Sequence, residues 1–167
     1  ISAPISVCEG STGVVFTAAD NPAYDTYTWS ITSGATNGVP SGKTFTVDAS
    51  GTDKIVVSLT SGLNNGCSII CTKEVDIIPN PTGTATGAAV CFGATSTTIT
   101  LINVVVSPNQ YQINFDDPAI TDINSFTNIP GGNVIGITIP GNLAAATYTG
   151  TITLYNSTST CTGTAPF

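Results

Sequence analysis

The chain has 167 residues, 41% hydrophobic and only 8% charged, with 29 Thr, 15 Ser and 13 Asn and neither His, Arg nor Met. Without His there is no Ser-His-Asp or Cys-His nucleophile pair, no imidazole metal ligand and no imidazole acid or base, which excludes most familiar hydrolase sites. Three Lys against ten acidic residues give a net charge of −7, leaving nothing to neutralise a phosphate backbone or an anionic bilayer, so neither nucleic acid nor a membrane is expected as a partner.

Helix formers are scarce while Thr, Val and Ile dominate, which predicts an all-β protein. No apolar run is long enough for a transmembrane helix, and no charged n-region precedes an apolar h-region. The start at Ile1-Ser2-Ala3-Pro4 suggests a piece of a longer polypeptide. Five Cys in a weakly charged, Thr/Ser/Asn-coated β protein suit an oxidising exterior, so the expected location is extracellular.

In chain order, Val7-Cys8-Glu9-Gly10-Ser11-Thr12 precedes an apolar strand at Val14 to Ala18, and the strand Thr26-Tyr27-Thr28-Trp29-Ser30-Ile31 follows. Ile55-Val56-Val57-Ser58-Leu59 then alternates into the polar turn Asn64-Asn65-Gly66-Cys67. Ile78-Pro79-Asn80-Pro81-Thr82-Gly83 reads as a stiff connection, because its prolines deny ladder donors. Beyond it the opening motif returns as Val90-Cys91-Phe92-Gly93-Ala94-Thr95, with strands expected over Ile99 to Ile102 and Gln110 to Phe115. More follow through Ile135, Ile137 and Ile139 and from Thr147 to Leu154, before a closing turn from Asn156 to Cys161. Each strand alternates polar and apolar residues, the pattern of a sheet with one wet face. The self-similarity predicts two tandem modules, residues 1–79 and 83–167, each an Ig-like antiparallel β-sandwich of about seven strands, the last strand of the second cut short.

Those same residues resemble a known family. Cys-x-Gly-x-Thr at Cys8, Tyr27 to Thr32, Asn65-Gly66-Cys67-Ser68 and Cys71-Thr72-Lys73-Glu74-Val75 are similar to the PKD-like or Ig-like repeats of very large Bacteroidota surface proteins. Tyr111 to Phe115, Ile137-Thr138-Ile139-Pro140 and Tyr148 to Ile152 resemble another repeat type of the same proteins, with SprB-type mobile gliding adhesins the nearest in feel. The Trp-Asp-Phe-Gly-Asp-Gly strand of true PKD domains is absent, Ser30 following Trp29. The resemblance implies a non-catalytic stalk or adhesive segment at the cell surface, exported by type IX secretion and serving attachment or gliding motility. Its implied partners are neighbouring repeats of the same polypeptide and surface polysaccharide. The alternative is a carbohydrate-binding or calcium-dependent recognition module accessory to a secreted enzyme.

Cysteines come first among the candidate functional residues. Cys91 and Cys161 are the second module's only pair, so a disulfide confined to that module joins them. Alignment of the repeats assigns Cys8 to Cys67, but Cys71, four residues on and on the same strand face, is an equal alternative. Topology disagrees with the alignment if the first strand runs parallel to the last, because Cys8 then lies far from the final hairpin where Cys67 sits. The cysteine left over is expected to be a small buried hydrophobe.

Asp116, Asp117 and Asp122 hold all the acidity of the second module without a cation, and could offer hard oxygen ligands to Ca²⁺. No other cofactor is expected. Asp-Pro and Thr-Asp are also ordinary turn formers, and Ca²⁺ wants at least about six oxygens, so a solvated turn is the preferred reading. A glycosidase would need an acid and a base flanking a cleft, which an 80-residue sandwich rarely carries. Trp29 shares parity with Tyr27 and Ile31 and reads as core. Tyr24 and Tyr155 are better candidates for a binding surface.

Overall fold

The computed structural model describes residues 1–87 and 90–167; Ala88 and Ala89 lie outside the described residues. Among the described residues the structure is all-β apart from a single 3₁₀ turn at Gly131–Asn133, and the chain divides into two compact units, Ile1–Pro79 and Asn80–Phe167.

In the first unit, β1 (Ser6–Cys8), β7 (Ser68–Ile78), β6 (Lys54–Leu63) and β3 (Tyr24–Ser33) form one sheet in that order, and β2 (Val14–Thr17), β5 (Thr44–Ala49) and β4 (Ala35–Ser41) form another. Alternation dictates what lies between them. Ile55 and Val57 of β6 and Val75 and Ile77 of β7 turn inward to meet Val14, Phe16, Phe45 and Val47, all buried. Trp29 and Ile31 pack against this cluster from β3. The Trp29 indole stacks on Phe45, centroids 5.6 Å apart, and donates to the Gly42 carbonyl at 3.0 Å. The polar handle of the ring is thereby satisfied while its body packs on the core.

The second unit has one sheet of β11 (Ile123–Asn128), β10 (Gln110–Phe115), β13 (Gly150–Asn156) and β14 (Cys161–Pro166), and another of β12 (Val134–Thr138), β9 (Ser96–Val105) and β8 (Thr82–Gly87). Its core joins Ile113, Ile152 and Leu154 from the first to Ile99, Leu101, Ile135 and Ile137 from the second. Ile139, beyond the end of β12, is also buried. Pro81, expected in a stiff connection, is fully buried and abuts Gly163; β8 begins at the next residue.

The repeated motif folds alike in both units. Ser11 N–H donates to the Cys8 carbonyl at 3.0 Å and Ala94 N–H to the Cys91 carbonyl at 3.1 Å, with Gly10 and Gly93 at φ 75° and 86°. Each is a four-residue turn whose third position needs positive φ, which explains glycine at both places. The units diverge at the fourth strand. β4 pairs with β5, whereas its counterpart β11 pairs with β10 and so joins the opposite sheet.

Candidate functional site

The acidic loop follows β10, and each carboxylate has its own local task. Asp122 Oδ1 accepts from the Phe115 N–H at 2.8 Å, closing the loop back onto the strand it left. Asp117 Oδ1 accepts from the Ala119 N–H at 2.8 Å, an Asx turn, while Asp116 Oδ2 accepts from the Thr149 hydroxyl at 2.6 Å. Asp116, Asp117 and Thr149 edge a surface concavity of about 460 Å³. The three carboxylates do not converge: among the described residues no group of three or more Asp, Glu, Cys or His is placed to hold a metal ion. The turn geometry sends the three carboxylates to different backbone and hydroxyl donors.

The cysteine pairings expected within each module are corrected. Cys8 and Cys161 are the disulfide-bonded residues, and Cys67, Cys71 and Cys91 are exposed free thiols. The reason is strand direction. β1 runs parallel to β7 with Cys8 opposite Ile78, so Cys67 and Cys71 lie eleven and seven residues back along the strand, about 36 and 23 Å away. A disulfide needs Cα atoms within about 7 Å. In the second unit β8 runs alongside β14 in the same direction, Pro81 against Gly163 and Gly87 beside Phe167. Cys91 follows the Phe167 end and Cys161 opens β14 at the other, about 20 Å away along the strand. The expectation of a buried leftover cysteine fails too, since all three free thiols face solvent.

Three ion pairs and one polar bridge tie segments of the first unit. Lys43 pairs with Asp20, and Lys54 on β6 reaches both Glu74, at 2.8 Å, and Asp76, at 3.9 Å, on β7. Asp48 accepts from the Asn37 side-chain amide at 2.8 Å and the Gly13 N–H at 2.9 Å, and these bonds hold its carboxyl below the usual range. Burial pushes the Tyr111 phenol up.

The outer face of the β11-β10-β13-β14 sheet presents different chemistry. Since Tyr111, Ile113, Phe115, Ile152 and Leu154 point inward, Gln110, Gln112 and Asn114 of β10 and Thr151, Thr153 and Tyr155 of β13 point outward. Phe126 reaches across β10 to stack on Tyr155, centroids 4.6 Å apart and planes 27° from parallel. Beside the stack, Gln110 donates to Asn128 Oδ1 at 3.3 Å and Gln112 to the Asn124 carbonyl at 2.6 Å. This row carries rings, amides and hydroxyls and no charge. Tyr155 is recognisable in the sequence; its partner Phe126 is the residue that sequence reasoning missed, although Asn124, Phe126 and Asn128 alternate as an outward-facing set. Trp29 and Tyr24 stand elsewhere, Trp29 on the core and Tyr24 edge-on to Tyr27 at 6.4 Å.

The described residues thus make two all-β, two-sheet units whose polar residues serve loops and surfaces. No protein-family model matches the sequence, and no curated protein matches it. Solved structures similar over 98% of the chain include the fibronectin(III)-like modules of Clostridium thermocellum CbhA, at 9% identity over 88% of that chain with a TM-score of 0.45. Murine CEACAM1b is similar at 13% identity over 94% of its chain with a TM-score of 0.40, and the titin domains z1z2 in complex with telethonin at 17% over 90% with 0.37. Among the described residues no helix is long and apolar enough to cross a membrane.

Proposed function

We propose that this chain is a non-catalytic segment of an extracellular surface protein, two Ig-like modules that act as a stalk or adhesive element in attachment or gliding. The observation that carries the reading is the placement of its chemistry. The carboxylates of the acidic loop are each engaged by a separate neighbour, and the apolar residues fill two sandwich cores. Uncharged Thr, Ser and Asn faces hydrate such modules, and a net negative charge limits their association. Weak contacts then gain strength from the number of copies. Neighbouring repeats of the same polypeptide are the expected partners.

The Phe126–Tyr155 stack favours a second reading, in which the outer sheet face of the second unit binds neutral polysaccharide through ring stacking and amide hydrogen bonds. Glycan-array binding and calorimetry on the 167-residue chain, with calcium and with chelator, separate the two. A purely structural segment binds no glycan even at millimolar ligand. Binding abolished by Tyr155→Ala establishes the second reading, and chelator-sensitive binding or release of reducing sugar overturns both.

A further inference from the structure

The sheet of the first unit ends unevenly. β7 spans Ser68–Ile78, but its outer neighbour β1 covers only Asp76 to Ile78. The Asp76 N–H donates to the Ile5 carbonyl at 3.2 Å, and the Ile78 carbonyl accepts from Glu9 N–H at 2.9 Å, so even-numbered residues turn their main-chain groups to this edge. On the other side, the Leu63 N–H donates to the Cys67 carbonyl at 2.7 Å, which turns the odd-numbered residues toward β6. Ser68, Ile70, Thr72 and Glu74 therefore aim N–H and C=O outward where, among the described residues, no strand pairs with them. Every residue from Ser68 to Thr72 is exposed, Ile70 at 69% and Ile69 at 41%. Proteins usually protect such an edge with charge, proline or a bulge; here Lys73 and Glu74 stand only at its far end.

We propose that this open edge of β7 pairs antiparallel with the same edge of a second copy of the chain, setting Cys71 opposite the second copy's Cys71, and that the two thiols then join as a disulfide. The register follows from counting. Only one two-fold pairing gives all four outward-facing residues a partner: Ser68 with Glu74, Ile70 with Thr72, and the reverse. The same register puts Cys71 on the axis in a non-hydrogen-bonded pair, where Cα atoms are about 4.5 Å apart, within the range a disulfide spans. Like charges are not opposed despite the overall −7. Lys73 falls opposite Ile69 and Glu74 opposite Ser68, and Glu74 is already bonded to Lys54.

One strand pair buries less than the roughly 1,000 Å² that a stable interface needs, so the reduced protein is monomeric and the covalent bond locks the dimer. A small-molecule disulfide such as oxidised glutathione is the oxidant. It takes the electron pair and both thiol protons, leaving two small thiols and one new S–S bond between the copies. The proposal rests on the extracellular reading only for the oxidising medium, and a redox buffer replaces that medium in vitro.

The test is incubation of the native protein in oxidised glutathione, followed by non-reducing electrophoresis and mass mapping of the linked peptides. The expected product is a dimer joined at Cys71, lost in Cys71→Ser and kept in Cys67→Ser and Cys91→Ser. Ile70→Pro removes an outward N–H without touching the β6 ladder, and Ile70→Lys adds an edge charge while keeping the backbone intact. Each abolishes the dimer while Cys71 still reacts with a small thiol reagent at the parent rate. Links spread equally over Cys67, Cys71 and Cys91, or an Ile70→Lys protein that dimerises like the parent, overturn the proposal.

Discussion

The main chain of Gly163 lies on that of Pro81 so closely that a Cβ at position 163 would overlap the Pro81 carbonyl. The contact docks the start of β8 beside β14, and only a residue without a side chain permits it. Gly163→Ala is expected to force the two strands apart at a cost of about 1–3 kcal/mol, the usual range for overpacking. Gly136→Ala, at an exposed strand position with nothing within 4 Å, is expected to be neutral within about 0.5 kcal/mol. Calorimetric melting of both variants measures the difference, and equal midpoints would refute the contact.

The exposed thiols give a second expectation. Native protein reacts with three equivalents of a disulfide reagent, at Cys67, Cys71 and Cys91, while Cys8 and Cys161 react only after reduction. Mass mapping of the labelled peptides checks each position. Protection of Cys91 in the native state would restore the pairing that composition suggests.

Asp48 predicts an acid-sensitive contact. Hydrogen bonds from Asn37 and Gly13 favour its charged form and lower its pKa from the ordinary 3.8. A lowered folded-state value means the contribution is complete above the ordinary pKa and fades as pH falls through the lower folded one. The Asp48→Asn variant is therefore expected to lose stability at neutral pH and to show a shallower decline below pH 3.8 than the parent. Urea midpoints across that range provide the measurement, and parallel acid curves would contradict it.

Strands with clean alternation were legible and strands without it were not. Gln110 to Phe115, read as one strand, is all of β10, and Thr26 to Ile31 falls inside β3. β4 contains Gly38 and Pro40 and pairs on one side only, and β8, Thr-Gly-Thr-Ala-Thr-Gly, buries a single apolar side chain, Ala85. Neither carries the period-2 signal, because an edge strand has little to bury. Thr147 to Thr149 alternates like the strand that follows but stays outside β13, with the Tyr148 hydroxyl donating to the Ala144 carbonyl at 2.9 Å. Disulfide partners were illegible for a different reason: connectivity depends on strand direction, and the repeat alignment fixes only which positions correspond.

The stacked pair in the first unit is open to a spectroscopic test. Phe45 is 4% exposed and supplies the face on which Trp29 lies. Phe45→Ala is expected to cost about 3–5 kcal/mol through the cavity it leaves. Trp29, the only tryptophan, then loses its stacking partner and emits at longer wavelength. An unchanged emission maximum in the folded variant would mean that the Gly42 carbonyl and the rest of the core hold the ring without the stack.

Asp122 offers the sharpest distinction between a loop clasp and a ligand site. Its carboxylate holds the Phe115 N–H, which is partly buried, so removing the acceptor strands a donor at the end of β10. Asp122→Ala is expected to cost about 1.5–3 kcal/mol, the range for a hydrogen bond to a charged group. Asp122→Asn keeps a carbonyl acceptor and should recover part of the loss, whereas a calcium ligand would not tolerate the amide so well. Asp117→Ala opens an exposed Asx turn and should cost less. Melting temperatures of the three variants, each taken with calcium and with chelator, separate the cases. A clasp gives the order Asp122→Ala, Asp122→Asn, Asp117→Ala in decreasing damage with no calcium dependence, and a calcium-raised midpoint in the parent, lost in all three variants, would make the loop a metal site.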